Sequence, residues 1–152
     1  MGAEASTSEP GDLILAVDPG VTTGWALYGG DKLQGSGESP IDPFLDMACQ
    51  HIKNGFVKVV VCEDFIITTH TGRKSQDGRY NFEEIGVLRR ECRLVRIPFE
   101  LQMPSRALKF VDDAKLRRLD WYVKGGHARD AVRHLVLYLH ERGTITAGQL
   151  IG

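Results

Sequence analysis

The sequence predicts a mixed α/β domain, a five-stranded sheet with helices on both faces, and three observations carry that expectation. Apolar runs of strand length alternate with helical periods in the order three strands, helix, strand, helix, strand, helices. The first three strands read as an antiparallel meander because a good hairpin turn, Gly29-Gly30-Asp31-Lys32, joins the second to the third. The run Val57 to Cys62 is nearly all β-branched, which suits a central strand buried on both faces.

Taken in order, Leu13 to Val17 is the first strand, closed by Asp18 and the breaker pair Pro19-Gly20. Trp25 to Tyr28 and Leu33 to Glu38 complete the meander. A helix then opens at Ile41-Asp42-Pro43, with Asp42 expected as its cap, and ends at Asn54-Gly55. Its apolar face is Phe44, Leu45, Ala48 and Ile52. After the fourth strand, Thr68 to Tyr80 is polar and predicts an exposed, mobile loop. A helix over Phe82 to Arg93, a fifth strand over Leu94 to Phe99 and short helices from Pro104 to Tyr122 follow. The last helix, His127 to Arg142, carries its apolar period on Ala128, Ala131, Val132, Leu135, Val136 and Leu139.

The 152 residues suffice for one domain with a substantial core: residues 1–11 read as a disordered tail, 12–142 as the domain and 143–152 as a C-terminal tail. At 42% hydrophobic and 26% charged, the chain has globular composition. A net charge of −1 excludes nucleic-acid binding through bulk charge, so such binding would need local basic patches. Three cysteines without a CxxC pair argue for reduced, mostly buried thiols and against structural zinc. No signal peptide or membrane span is expected, and the expected location is the cytoplasm of a bacterium or a phage-infected host cell.

Both strong apolar strands end in an acid, Asp18 and Glu63, and the last helix adds His127 and Asp130 three residues apart. At roughly 100° per residue this pair flanks the apolar stripe, so it can face a cleft while the stripe packs on the sheet; His134 and Glu141 continue the flank. Each has a plain reading alone: Asp18 as a turn former, Glu63 as a polar strand end, His127 as a cap or surface residue, Asp130 as a first-turn carboxylate. Together they offer hard ligands from three separate elements, which is how a divalent metal site that acts on phosphate is built.

The run Ala16-Val17-Asp18-Pro19-Gly20-Val21-Thr22-Thr23-Gly24-Trp25-Ala26 resembles the opening motif of the RuvC family of Holliday junction resolvases, which have the ribonuclease H fold. Val60-Val61-Cys62-Glu63 resembles their strand-four glutamate, and His127-Ala128-Arg129-Asp130-Ala131 their C-terminal helix. The order and spacing agree from Leu13 to about Leu139. The resemblance implies a Mg²⁺-dependent endonuclease cutting branched DNA (four-way junction, fork or flap) with two ions, for which Mn²⁺ would substitute. Asp18 would bridge both ions, Glu63 would bind one, and Asp130 with His127 the other.

Lys109 and Lys115 fall where the family has paired basic residues; Lys115, Arg117 and Arg118 are read as phosphate contacts, the plain alternative being a solvated helix face. Arg73, Lys74 and Arg79 are further candidates for DNA contact, and Phe65 or Tyr80 for an aromatic wedge at a branch point. The family resemblance also implies a homodimer, with its interface on the helix carrying Ile85, Val87 and Leu88. Three other readings compete. The opening motif also resembles the phosphate loop of the sugar-kinase, actin and heat-shock ATPases, but those need two domains. A nuclease acting on RNA and a non-catalytic nucleic-acid-binding module of the same fold are the others.

Overall fold

The computed structural model describes residues 12–66 and 75–151, the side chains of 75–77 excepted. Arg73 and Lys74 lie outside the described residues, as does the expected tail 1–11. The chain runs β1 (Leu13–Asp18), β2 (Thr22–Gly29), β3 (Lys32–Pro40), α1 (Ile41–Lys53), β4 (Val57–Glu63), α2 (Ser75–Val95), β5 (Phe99–Gln102), α3 (Pro104–Phe110), α4 (Asp113–Arg118), α5 (Gly126–Glu141) and α6 (Ala147–Ile151). The five strands form one mixed sheet in the order β3-β2-β1-β4-β5. β1, β2 and β3 pair antiparallel, while β4 is parallel to both β1 and β5. The expected architecture is the observed one.

Side chains alternate across each strand, so each face of the sheet has its own core. Ile14 and Ala16 of β1, Ala26 and Tyr28 of β2, and Val59 and Val61 of β4 pack under α5, together with α3, α4 and α6. Leu15, Val17, Val60 and Cys62 turn the other way, onto Phe44, Ala48 and Ile52 of α1 and Ile85, Leu88 and Cys92 of α2. Leu135 and Leu139 of α5 are almost wholly buried, each contributing about 1.5–3 kcal/mol of transfer free energy.

Several boundaries differ from expectation. Strand five is Phe99–Gln102 and not Leu94 to Phe99: the period Ile85, Leu88, Cys92 holds the chain helical through Val95, and Arg96, at φ +63, ends the helix. α2 also begins at Ser75, so the last six residues of the polar stretch expected as a loop are helical. Pro40 occupies the N-cap of α1 without a side-chain cap bond, and Asp42 sits in the first turn, where the helix dipole favours it. Within 143–152, Ile145 and Leu150 are buried against α5 and α4. No helix among the described residues is long and apolar enough to cross a membrane.

Candidate metal centre

Strand register and alternation place the site. Asp18 pairs with Gly24, and the β1–β4 ladder, with Val17 opposite Cys62, sets Glu63 beside Asp18; Glu63 in turn pairs with Gln102. All four positions continue the face on which Ala16, Ala26 and Val61 pack under α5. Gly24, Asp18, Glu63 and Gln102 therefore form a row across the strand ends, and α5 lies over that row.

Gly24 makes the close approach possible. A Cβ there would stand 1.9 Å from the His127 carbonyl oxygen and 2.8 Å from the Ala128 nitrogen, both backbone atoms that cannot turn aside. The first turn of α5 is fixed from the other side by Glu38 of β3. Its Oε2 accepts from the backbone N–H of His127 at 2.8 Å and of Ala128 at 3.4 Å, satisfying helix-end donors with a favourable charge. Gly125, at φ +88, keeps the helix entry clear for that carboxylate: a Cβ would lie 2.6 Å from Glu38 Oε2.

So seated, α5 presents His127, Asp130 and His134 along one stripe. His127 Nδ1 lies 3.1 Å from Asp18 Oδ2. His134 is buried and bonds Glu63 Oε2 through Nε2 and Gln102 Oε1 through Nδ1, each at 2.8 Å. Arg133 reaches Asp130 Oδ1 at 3.4 Å while its other nitrogens hold the Val111 carbonyl and Asp113. Asp18, Glu63, His127 and Asp130 all line one open cleft of about 480 Å³, with Phe65 and Asn81 on its far wall.

The electrostatics are those of crowded acids. Asp18 is 6% exposed. Burial first, then the charges of Glu63 and Asp130, push its carboxyl up to about 9, and it is close enough to Glu63 to share a hydrogen bond. Asp130 is also raised, by burial and then by Glu63. An acid so placed keeps its proton through neutral pH unless a cation takes the proton's place. Three facing carboxylates and an imidazole fit a hard divalent ion better than a soft one. Among the described residues, however, no three His, Cys, Asp or Glu side chains are gathered tightly enough to hold a metal ion as they stand.

On the opposite face of the sheet, Glu84 of α2 holds the turn that follows Asp18. It is fully buried; Oε1 accepts from the Gly20 N–H at 2.9 Å, and Oε2 lies 2.6 Å from Thr23 Oγ1. Asn81 of the same helix donates to the Pro19 carbonyl. Thr23 and Gly24 thus serve opposite faces, one tied to α2 and the other seating α5.

The four residues that the sequence singled out as candidate ligands, Asp18, Glu63, His127 and Asp130, all line the cleft. The sequence assigned no role to Gln102, Glu84 or Glu38, and noted His134 only as a continuation of the flank. Of the expected phosphate contacts, Arg79, Lys109, Arg117 and Arg118 are exposed. Lys115 is engaged internally: Nζ donates to the Phe110 carbonyl at 2.6 Å and sits over that ring. Arg117 stacks on Tyr122 at 4.1 Å, and Arg129 of α5 stacks on the same ring at 4.7 Å. Phe65 packs edge-on against Phe82, 5.0 Å between centroids, and Tyr80 carries Arg79 over its ring.

No protein-family model and no curated protein sequence matches the chain. Among solved structures it is similar to Thermus thermophilus RuvC in complex with a Holliday junction substrate, at 12% identity and TM-score 0.66, covering 88% of this chain and 97% of that one. A second Thermus thermophilus RuvC structure matches at 11% identity and TM-score 0.63, covering 87% and 97%. The chain has the RuvC, ribonuclease H-like fold.

Proposed function

We propose that the chain is a divalent-metal-dependent, structure-selective endonuclease that cuts Holliday junctions or related branched DNA, and that it acts as a homodimer. The observation that carries this reading is the convergence of Asp18, Glu63, His127 and Asp130, from three elements far apart in the chain, on one open cleft at the strand ends. The likeness to a RuvC fold solved with a Holliday junction supports it. Asp18, Glu63, Asp130 and His127 are the residues that would hold the metal, two Mg²⁺ ions with Mn²⁺ as substitute. When bound, the ions supply Lewis acidity at the scissile phosphate and at the attacking water.

The chain supplies orientation. Rigid strand ends place the backbones of Asp18 and Glu63, and Arg133 of α5 bonds Asp130. His127 is half-exposed at the cleft; with Nδ1 on Asp18, its Nε2 is the atom left to face the metal. Arg73, Lys74, Arg79, Lys109, Lys115, Arg117 and Arg118 are proposed to contact DNA phosphates, joined by Arg129 beside Arg117 on Tyr122.

The test is cleavage of labelled four-way, fork, flap and linear DNA with and without Mg²⁺, beside Asp18→Asn and Glu63→Gln. Branched substrates should be cut only with metal, and both variants should lose about 10²–10³-fold in rate, as removal of a group acting at the reacting charge does. Variants that cut as well as the parent would refute the site. Equal cutting of linear duplex would refute structure selectivity.

A further inference from the structure

The geometry points to His134, with Gln102 behind it, as a positioning residue that orients the Glu63 carboxylate for metal. This rests on the reading of Glu63 as a metal ligand.

His134 sits in the middle of α5 among Ala131, Val132, Leu135 and Leu137, all buried, and is itself 1% exposed. An aliphatic side chain is what packing alone would place there. A buried imidazole costs free energy unless its nitrogens are bonded, and both are: one to Glu63, the other to Gln102, which is buried as well. The three residues come from three elements, and two of them, Glu63 and Gln102, are register partners on one sheet face. A neutral ring carries one N–H; with the Gln102 NH₂ turned to Nδ1, that nitrogen accepts and Nε2 donates to Glu63 Oε2.

The consequence is a fixed carboxylate. Glu63 ends a strand, and its side chain is about a fifth exposed, so without a tether it would swing between rotamers. With Oε2 held by His134, Oε1 is the oxygen left for a cation. Partners of this kind behind a metal ligand alter affinity by about 10–100-fold when removed.

The experiment measures Mn²⁺ binding to the full chain by calorimetry, without DNA, for the parent, His134→Leu, His134→Gln, Gln102→Leu and Glu63→Gln. Melting in EDTA reports the fold. His134→Leu fits the apolar stripe and should weaken Mn²⁺ about 10–100-fold, raising the Mg²⁺ needed for half-maximal cleavage by a similar factor while KM for DNA stays put. His134→Gln keeps an N–H donor for Glu63 and should recover most of that loss. Gln102→Leu leaves the ring in place but untethered, and should weaken Mn²⁺ severalfold. Parent-like Mn²⁺ affinity in a folded His134→Leu overturns the proposal. If that variant does not fold, parent-like affinity in Gln102→Leu overturns it instead. Glu63→Gln separates the two claims: if it binds Mn²⁺ like the parent, the reading of Glu63 fails; if it weakens while the His134 and Gln102 variants do not, only the positioning role fails.

Discussion

Glu84 shows how much one buried residue can hide from a sequence. In the string Phe82-Glu83-Glu84-Ile85 it is one acid of an adjacent pair, and nothing in the spacing separates a solvated carboxylate from a buried one. In the fold it is fully buried, and burial pushes its carboxyl up to about 7 from 4.5, with the Thr23 and Gly20 hydrogen bonds pulling partly the other way. Both of its oxygens accept, one from the Gly20 N–H and the other from Thr23 Oγ1, whose hydroxyl also reaches the Gly20 carbonyl 3.1 Å away. An acid with a raised pKa binds its proton in the folded state where the unfolded chain has lost it. Its contribution is therefore intact below about pH 4.5 and is lost as pH rises toward 7. The shift corresponds to on the order of 3 kcal/mol. Glu84→Gln removes the charge and keeps an oxygen to accept from the Gly20 N–H. In EDTA it should unfold like the parent at pH 5 and be more stable by about 2–3 kcal/mol at pH 8. Urea unfolding at the two pH values checks this, and a gap that does not change with pH counts against a carboxyl raised by burial.

At the scale of elements, Asp18 and Glu63 were legible because each closes an apolar strand, and strand ends are visible in sequence. Gln102 was not, since the apolar residues Leu94, Val95, Ile97 and Phe99 mimic a strand that the helical period of α2 had already claimed. With β5 displaced toward the C-terminus, the residue opposite Glu63 could not be named in advance. Gly24 was legible as part of a motif, but its purpose depends on a helix more than a hundred residues later. Because the atoms it faces are backbone, Gly24→Ala must lift the start of α5 off β2. Overpacking of this kind costs about 1–3 kcal/mol. Displacing catalytic groups by about 1 Å costs on the order of 10²-fold in rate. The variant should therefore stay folded at 25 °C yet cleave branched DNA about 100-fold more slowly, with Mn²⁺ binding weakened alongside. Unimpaired cleavage by Gly24→Ala would show that the seating of α5 does not set the site.

At the scale of the molecule, the proposed Holliday junction substrate has two-fold symmetry, whereas each chain carries one candidate centre. One centre nicks one strand, and a four-way junction resolved by paired nicks needs two centres related by a dyad. The sequence pointed to Ile85, Val87 and Leu88 as an apolar surface broader than one stripe. The fold divides them: Ile85 and Leu88 are spent on the domain's own core, leaving Val87 at 38% exposure and Leu94 at 53% on the outer side of α2. They stand seven residues apart, two turns along one face, with the basic Arg90 between them. A self-complementary contact along that face would set two α2 helices side by side and pair the clefts. Val87→Asp with Leu94→Asp would bury like charges against their own copies across the dyad. The parent should sediment as a dimer at micromolar concentration, and the double variant as a folded monomer whose melting temperature no longer depends on concentration. On four-way junctions the double variant should leave singly nicked products that accumulate, while its nicking of a flap with one scissile position proceeds within about threefold of the parent, a difference well under 1 kcal/mol in barrier. A parent that sediments as a monomer yet still yields paired nicks in one binding event would remove the dimer from the mechanism and leave the metal site standing.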